Sequence, residues 1–173
     1  MPEMSVVHIV VLLIAAVAAV IDIRERRIPN WLTFGAAATG LAFQIWMAGP
    51  SGFLVGAGGW LIGAAIFFLP FALGGLGAGD VKLVAGLGAW LGWQDTVWLG
   101  LYTGAAGGML AIVAALATGY IRQALSNVWL LMMHWRVAGL QPLPQMTIHH
   151  GTGPKLAYGV AIFAGAMVTV WMH

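Results

Sequence analysis

The chain has 173 residues, of which 61% are hydrophobic and only 7% charged, with a formal net charge of +2. A water-soluble globular protein carries charge on roughly a quarter of its residues, so water is excluded as the main solvent. Repeated apolar runs of near-spanning length point instead to a polytopic membrane protein built as one helical domain over residues 1–173.

An isoelectric point near 9.4 rests on so few charges that it implies no nucleic-acid partner. The absence of cysteine excludes disulfides and thiolate metal sites. The opening "MPEMSVVHIV" has Glu3 and no Lys or Arg before its apolar run. It lacks the basic region of a secretory signal, and the first helix is expected to remain in the mature protein.

In chain order, six membrane segments are predicted, at 5–21, 31–48, 52–73, 81–93, 96–118 and 156–172. They are separated by "DIRERRIPN", "AGPS", "GGLGAGD", "QD" and the long stretch 119–155. Pro29 and Pro50 fall at breaks, where a missing backbone N–H does least harm, and Pro70 is expected to kink the third segment. Glycines spaced by four (Gly52/Gly56, Gly59/Gly63, Gly100/Gly104 and Gly104/Gly108) read as helix-packing positions. Within 119–155, "RQALSNVWLLMMHWRVAG" sets Gln123, Asn127 and His134 (with Leu130 as the exception) against Leu125, Val128, Trp129 and Met132. That spacing predicts a helix lying in the interface.

The basic residues give the orientation. Alternating spans put 22–30, 74–80 and 119–155 on one side, and Arg24, Arg26, Arg27, Lys82, Arg122, Arg136 and Lys155 all fall in or beside them. The other side holds Glu3 and Asp95. The basic side is therefore expected to be cytoplasmic, with both termini outside. Trp31, Trp129 and Trp135 fall near the inner boundary, and Trp46, Trp93, Trp98 and Trp171 near the outer one.

This topology places two acids on the same boundary, Asp22 ending the first segment and Asp80 beginning the fourth. The fourth segment, 81–93, is about 20 Å long against a hydrocarbon core of roughly 30 Å. Either its start sinks below the headgroups or the bilayer thins around it. Taken singly, Asp80 reads as the N-cap of the fourth helix and Asp22 as a partner of Arg24 or Arg26. Taken together, acids at membrane depth are expensive and tend to be functional. Two close carboxyls share a proton, one activating water while the other polarises a carbonyl. The glycines of "GLGAGD", Gly77 and Gly79 among them, would let a substrate strand pass close to the backbone.

"GAGDVK", 77–82, resembles the GxGD signature of intramembrane aspartyl proteases. "DIRERRIPNWLT", 22–33, resembles the segment around the first catalytic aspartate of type IV prepilin peptidases, and "KLAYGVAIFAG", 155–165, resembles that family's last-helix pattern. That pattern is usually written Pro-Tyr-Gly; here Leu156-Ala157 precede Tyr158-Gly159, a departure that bears on packing more than chemistry. The resemblance covers essentially the whole chain. It is nearest to the short form associated with tight-adherence (Flp-type) pili, because longer members carry an N-terminal insertion with paired cysteines and a methyltransferase activity. Presenilin-like proteases pair GxGD with Tyr-Asp, whereas Asp22 here follows Ile21.

The resemblance implies a membrane aspartic endopeptidase with Asp22 and Asp80 as its catalytic pair and no cofactor. Its substrate would be a prepilin or pseudopilin, cut where the hydrophobic helix leaves the cytoplasm. The implied location is the bacterial inner membrane, with the site facing the cytoplasm. Gly77, Gly79 and Lys82 are the substrate-binding candidates, although Lys82 reads first as a snorkelling interfacial lysine. Asn30 reads as the N-cap of the second helix and Asp95 as a helix cap. His149 and His150, adjacent in a loop, lack the spacing of a zinc site. Two other classes stay open: a small proton- or ion-coupled transporter, which should carry its acids near mid-bilayer, and a non-catalytic pilus-assembly subunit.

Overall fold

The computed structural model describes residues 5–139 and 156–173. Glu3, Lys155, His149 and His150 lie outside the described residues. The described chain is helical, with no strand among its residues, and runs α1 (Val6–Glu25), α2 (Asn30–Ala72), α3 (Ala78–Leu91), α4 (Trp93–Ala117), α5 (Ile121–Ala138) and α6 (Tyr158–Met172). Three of these, α1, α2 and α4, are long and apolar enough to cross a membrane, and α6 is a shorter apolar helix.

The 43 residues of α2 do not form one rod, which would measure about 65 Å and overrun a bilayer core twofold. Gly49 adopts φ 60° and ψ −139°, a conformation open to glycine and strained for other residues. Pro50 then restarts the helix at a position where its missing N–H costs nothing. Gly56 lies against Leu41 and Gln44, and a Cβ on Gly52 would strike the Gln44 carbonyl. Residues 41 and 56 would stand about 22 Å apart on a straight helix, so the chain doubles back at Gly49. The two expected segments, 31–48 and 52–73, are thus the arms of one tight hairpin. Pro70 lies in the last turns of α2, where the residues keep helical φ/ψ.

The arms grip α3. Gly40 abuts Trp90, Gly63 abuts Val84 and Ala85, and a Cβ on Gly59 would strike the Gly88 carbonyl. On the same arm as Gly40, Thr33 and Ala36 lie against Gly86. Trp90 Nε1 donates to the Ala36 carbonyl at 3.0 Å, and Gln44 Nε2 donates to the Trp90 carbonyl at 2.8 Å. Small residues at these crossings let backbones approach closely, as helix pairs do where burial from water is not the driving force.

Every residue from Leu83 to Trp90 is buried. Eight consecutive helical residues cover all faces, so α3 meets other helices on every side. The short-segment problem is resolved this way: a helix enclosed by α1, α2, α4 and α6 has no lipid to match. The core around it includes Val11, Ala15, Leu32, Phe67, Leu99 and Ile162. Large apolar side chains such as Leu13, Leu54, Leu61, Phe68 and Leu101 face outward instead. That surface suits a hydrocarbon solvent.

Several boundaries differ from expectation. Pro29, not Asn30, caps α2, and Asn30 is its first helical residue. The break expected at "QD" is the single residue Gly92 at φ 80°, so Asp95 sits in the first turn of α4 near its dipole rather than at its cap. Gly104 and Gly108 face open space where a Cβ would stand, whereas Gly107, outside the four-residue series, is pressed against Tyr158. A spacing rule finds the small residues but does not say which face they line.

Candidate active site

Asp22 lies in the last turn of α1 and Asp80 in the first turn of α3. α1 ends where it does because Arg26 takes the left-handed conformation (φ 54°) and returns its N–H to the Asp22 carbonyl. Ile28 and Pro29 then carry the chain to the start of α2, and Ile28 tucks against Gly79. α3 begins after the "GGLGAG" turn with Gly77 as its cap.

Both acids are buried, at 6% exposure for Asp22 and 9% for Asp80. Each is held by one oxygen. Gly159 donates its N–H to Asp22 Oδ2 at 2.8 Å, a bond that joins residues 137 apart in the chain. Gly77 donates its N–H to Asp80 Oδ2 at 3.0 Å. The second bond is the reach-back half of a capping box. Asp80 is therefore three residues inside the cap rather than at the N-cap itself. Bonds from backbone N–H to a carboxylate are charge-assisted and fix its orientation.

The pair is assembled by three helix ends. Asp22 comes from the C-terminal end of α1, while α3 and α6 present their N-termini, where unpaired N–H groups and the helix dipole favour negative charge. Asp22 and Asp80 are near enough for the charge of one to act on the other. Asp80 is also within electrostatic reach of Tyr158, the first residue of α6. The Tyr158 ring meets Phe67 edge-on at 6.2 Å and lies flush on Gly107.

The glycines at the site leave no room for side chains. A Cβ on Gly159 would come within 3.0 Å of Asp22 Cβ, and one on Gly77 within 3.2 Å of Asp80 Oδ2. Gly79 is backed by Ile28, with its would-be Cβ at 3.1 Å. The structure thus brings Asp22, Asp80, Gly77 and Gly79 to one end of the bundle. Lys82 is directed elsewhere, because two residues along a helix is a turn of about 200°. Its Nζ donates to Asn30 Oδ1 at 3.0 Å and stands 5.3 Å from the centre of the Phe34 ring. There it borders a small apolar groove of about 180 Å³ between α3 and the arms of α2.

Two participants read from the sequence as packing only. Tyr158 and Gly159 are visible in "KLAYGVAIFAG", but nothing in that string says that α6 starts beside Asp22. Among the described residues no three His, Asp or Glu side chains gather as metal ligands.

Residues 9–120 match the profile of the type IV leader peptidase family. The chain is 36% identical over 100 residues to a prepilin leader peptidase/N-methyltransferase of Burkholderia pseudomallei (strain K96243), covering 54% of this chain and 32% of that protein. It is 38% identical over 89 residues to the prepilin leader peptidase/N-methyltransferase of Pectobacterium carotovorum subsp. carotovorum, covering 45% of this chain and 30% of that one. The match therefore spans about a third of the length of these relatives. No solved structure gives a significant match.

Proposed function

The chain belongs to the type IV leader peptidase family, and from that premise we propose that it is a membrane aspartic endopeptidase that removes the leader from Flp-type prepilins or pseudopilins. Asp22 and Asp80 are its catalytic pair, and both fall inside the family match at 9–120. One observation carries the reading above the others: two buried carboxyls from helices distant in sequence each accept a glycine N–H on one oxygen, and no other bond to either carboxyl occurs among the described residues.

In the proposed mechanism the two carboxyls work as a pair that carries one proton. In the proposed reaction the ionised member takes a proton from water while the oxygen of that water attacks the scissile carbonyl carbon. The protonated member gives its proton to the carbonyl oxygen. Collapse of the tetrahedral diol breaks the C–N bond: the amine leaves with the proton first taken from water, and a diol hydroxyl returns its proton to the other carboxylate as C=O re-forms, restoring the pair. Gly77 adds no side chain against Asp80 Oδ2, and Gly79 lets the start of α3 seat against Ile28; both remain the proposed substrate-contacting glycines.

The wider arrangement rests on six crossings: α1, the two arms of α2, α3, α4 and α6. Under that reading both acids stand on the side of the basic residues, the cytoplasmic one, in the inner membrane. Their place at helix ends supports cleavage at a membrane boundary over proton carriage through mid-bilayer. The reaction carried over from the relatives is the peptidase one alone.

The test is co-expression with a Flp-type prepilin. The native chain should shorten the prepilin on a gel, and Asp22→Asn or Asp80→Asn should leave it full length while still accumulating in the membrane. Normal shortening by either variant would refute the assignment.

A further inference from the structure

The amphipathic pattern of α5 is turned inside out. On a helical projection at 100° per residue, Leu125, Val128, Trp129 and Met132 share one side and Gln123, Asn127 and His134 the other. In a protein surrounded by water the apolar side would be covered. Here all four apolar residues are exposed, from 54% to 65%. On the polar side Asn127 and His134 are half-buried, His134 with its Nε2 enclosed. Asn127 Nδ2 also donates to the Tyr120 hydroxyl at 3.0 Å. Gln123, in the first turn, is exposed, so it is Asn127 and His134 that turn the polar side toward the protein while the apolar side faces out.

Charge indicates what lies against that open face. Arg122, Trp129 and Arg136, spaced by seven, form one line along the edge of the apolar side. No Asp or Glu occurs anywhere on α5. Arginines beside an apolar face can lay their stems along hydrocarbon and their heads among phosphates, and tryptophan prefers the same boundary. A protein partner would match the apolar side chains, but a cationic edge without any acid matches an anionic surface.

We propose that α5 docks its Leu125–Met132 face into the anionic lipid leaflet on the basic side of the protein, with Arg122 and Arg136 binding lipid phosphates. Each arginine near such a surface strengthens partitioning roughly fivefold. The docked helix would fix α4, from which it emerges after Gly119, relative to the leaflet.

Because the chain has no cysteine, single cysteines report on each face without background. Full-length Val128→Cys and Gln123→Cys proteins, labelled with an environment-sensitive dye, are placed in phosphatidylcholine vesicles with and without phosphatidylglycerol. Lipids bearing nitroxide near the headgroup or deep in the acyl chain serve as quenchers. The expected result is strong quenching at Val128, greater from the shallow nitroxide than from the deep one, weak quenching at Gln123, and a gain at Val128 when phosphatidylglycerol is added. Arg122→Gln with Arg136→Gln should weaken the phosphatidylglycerol gain by roughly 25-fold.

Water-like emission at Val128, equal quenching with and without anionic lipid, or a dry but unquenched dye (a second copy or residues 140–155 covering the face) would each overturn the proposal. The measurement needs no substrate, so it stands apart from the peptidase assignment.

Discussion

At the scale of single residues, the acids could be read from the sequence and their anchors could not. Asp22 and Asp80 stand out because carboxylates are costly near hydrocarbon and each sits in a recognisable string. Gly159 contributes only a backbone N–H, which every non-proline residue carries, so no side chain announces it. Its importance comes from a close approach that only three-dimensional packing creates. Gly159→Ala should displace the Asp22 carboxyl. Since a shift of about 1 Å at a reacting group costs on the order of a hundredfold, kcat should fall by that order with KM little changed, in steady-state cleavage of a purified prepilin. A native kcat in this variant would mean that the 2.8 Å bond does not position Asp22. Asn30 gives the converse lesson: Pro-Asn suggests a cap, but Pro29 fills that place and Asn30 turns its side-chain carbonyl oxygen to Lys82.

At the scale of elements, periodicity locates the helices to within a few residues and misjudges how they join. The breaks at "AGPS" and "QD" shrink to single glycines, Gly49 and Gly92, each at positive φ. A tight reversal leaves so little unpaired backbone that composition cannot tell it from a short loop. The same glycines offer a graded test of the packing. Gly59→Leu, facing the Gly88 carbonyl, should abolish assembly of α3 between the arms. Gly49→Ala, strained at φ 60°, should cost about 1–3 kcal/mol. Gly104→Ala, in open space, should be neutral to within about 0.5 kcal/mol. Thermal unfolding in a single detergent ranks the three, and a Gly104 variant worse than the Gly49 variant would contradict the hairpin.

At the scale of the whole molecule, the sequence is informative because so few charges must be placed. All seven basic residues gather in or beside three connections, and the fold puts the ends of α1 and α3 that carry the acids beside the first two. What hydropathy could not convey is that α3 is the buried centre, since a segment enclosed by helices and one facing lipid read alike. The six-crossing arrangement predicts that cysteines at Glu25 and Gly75 react with a membrane-impermeant thiol reagent from one side only, and cysteines at Ser51 and Gln94 from the other. Labelling of all four from the same side would dismantle it. The central claim, that Asp22 and Asp80 act as one catalytic unit, is tested most directly by cleavage rates of Asp22→Asn, Asp80→Asn and the double variant, each purified and shown folded. Groups acting together are grossly non-additive, so each single variant should fall by about 10⁴-fold and the double variant no further. A single variant that retains the native rate, or losses that simply multiply in the double variant, would contradict the account.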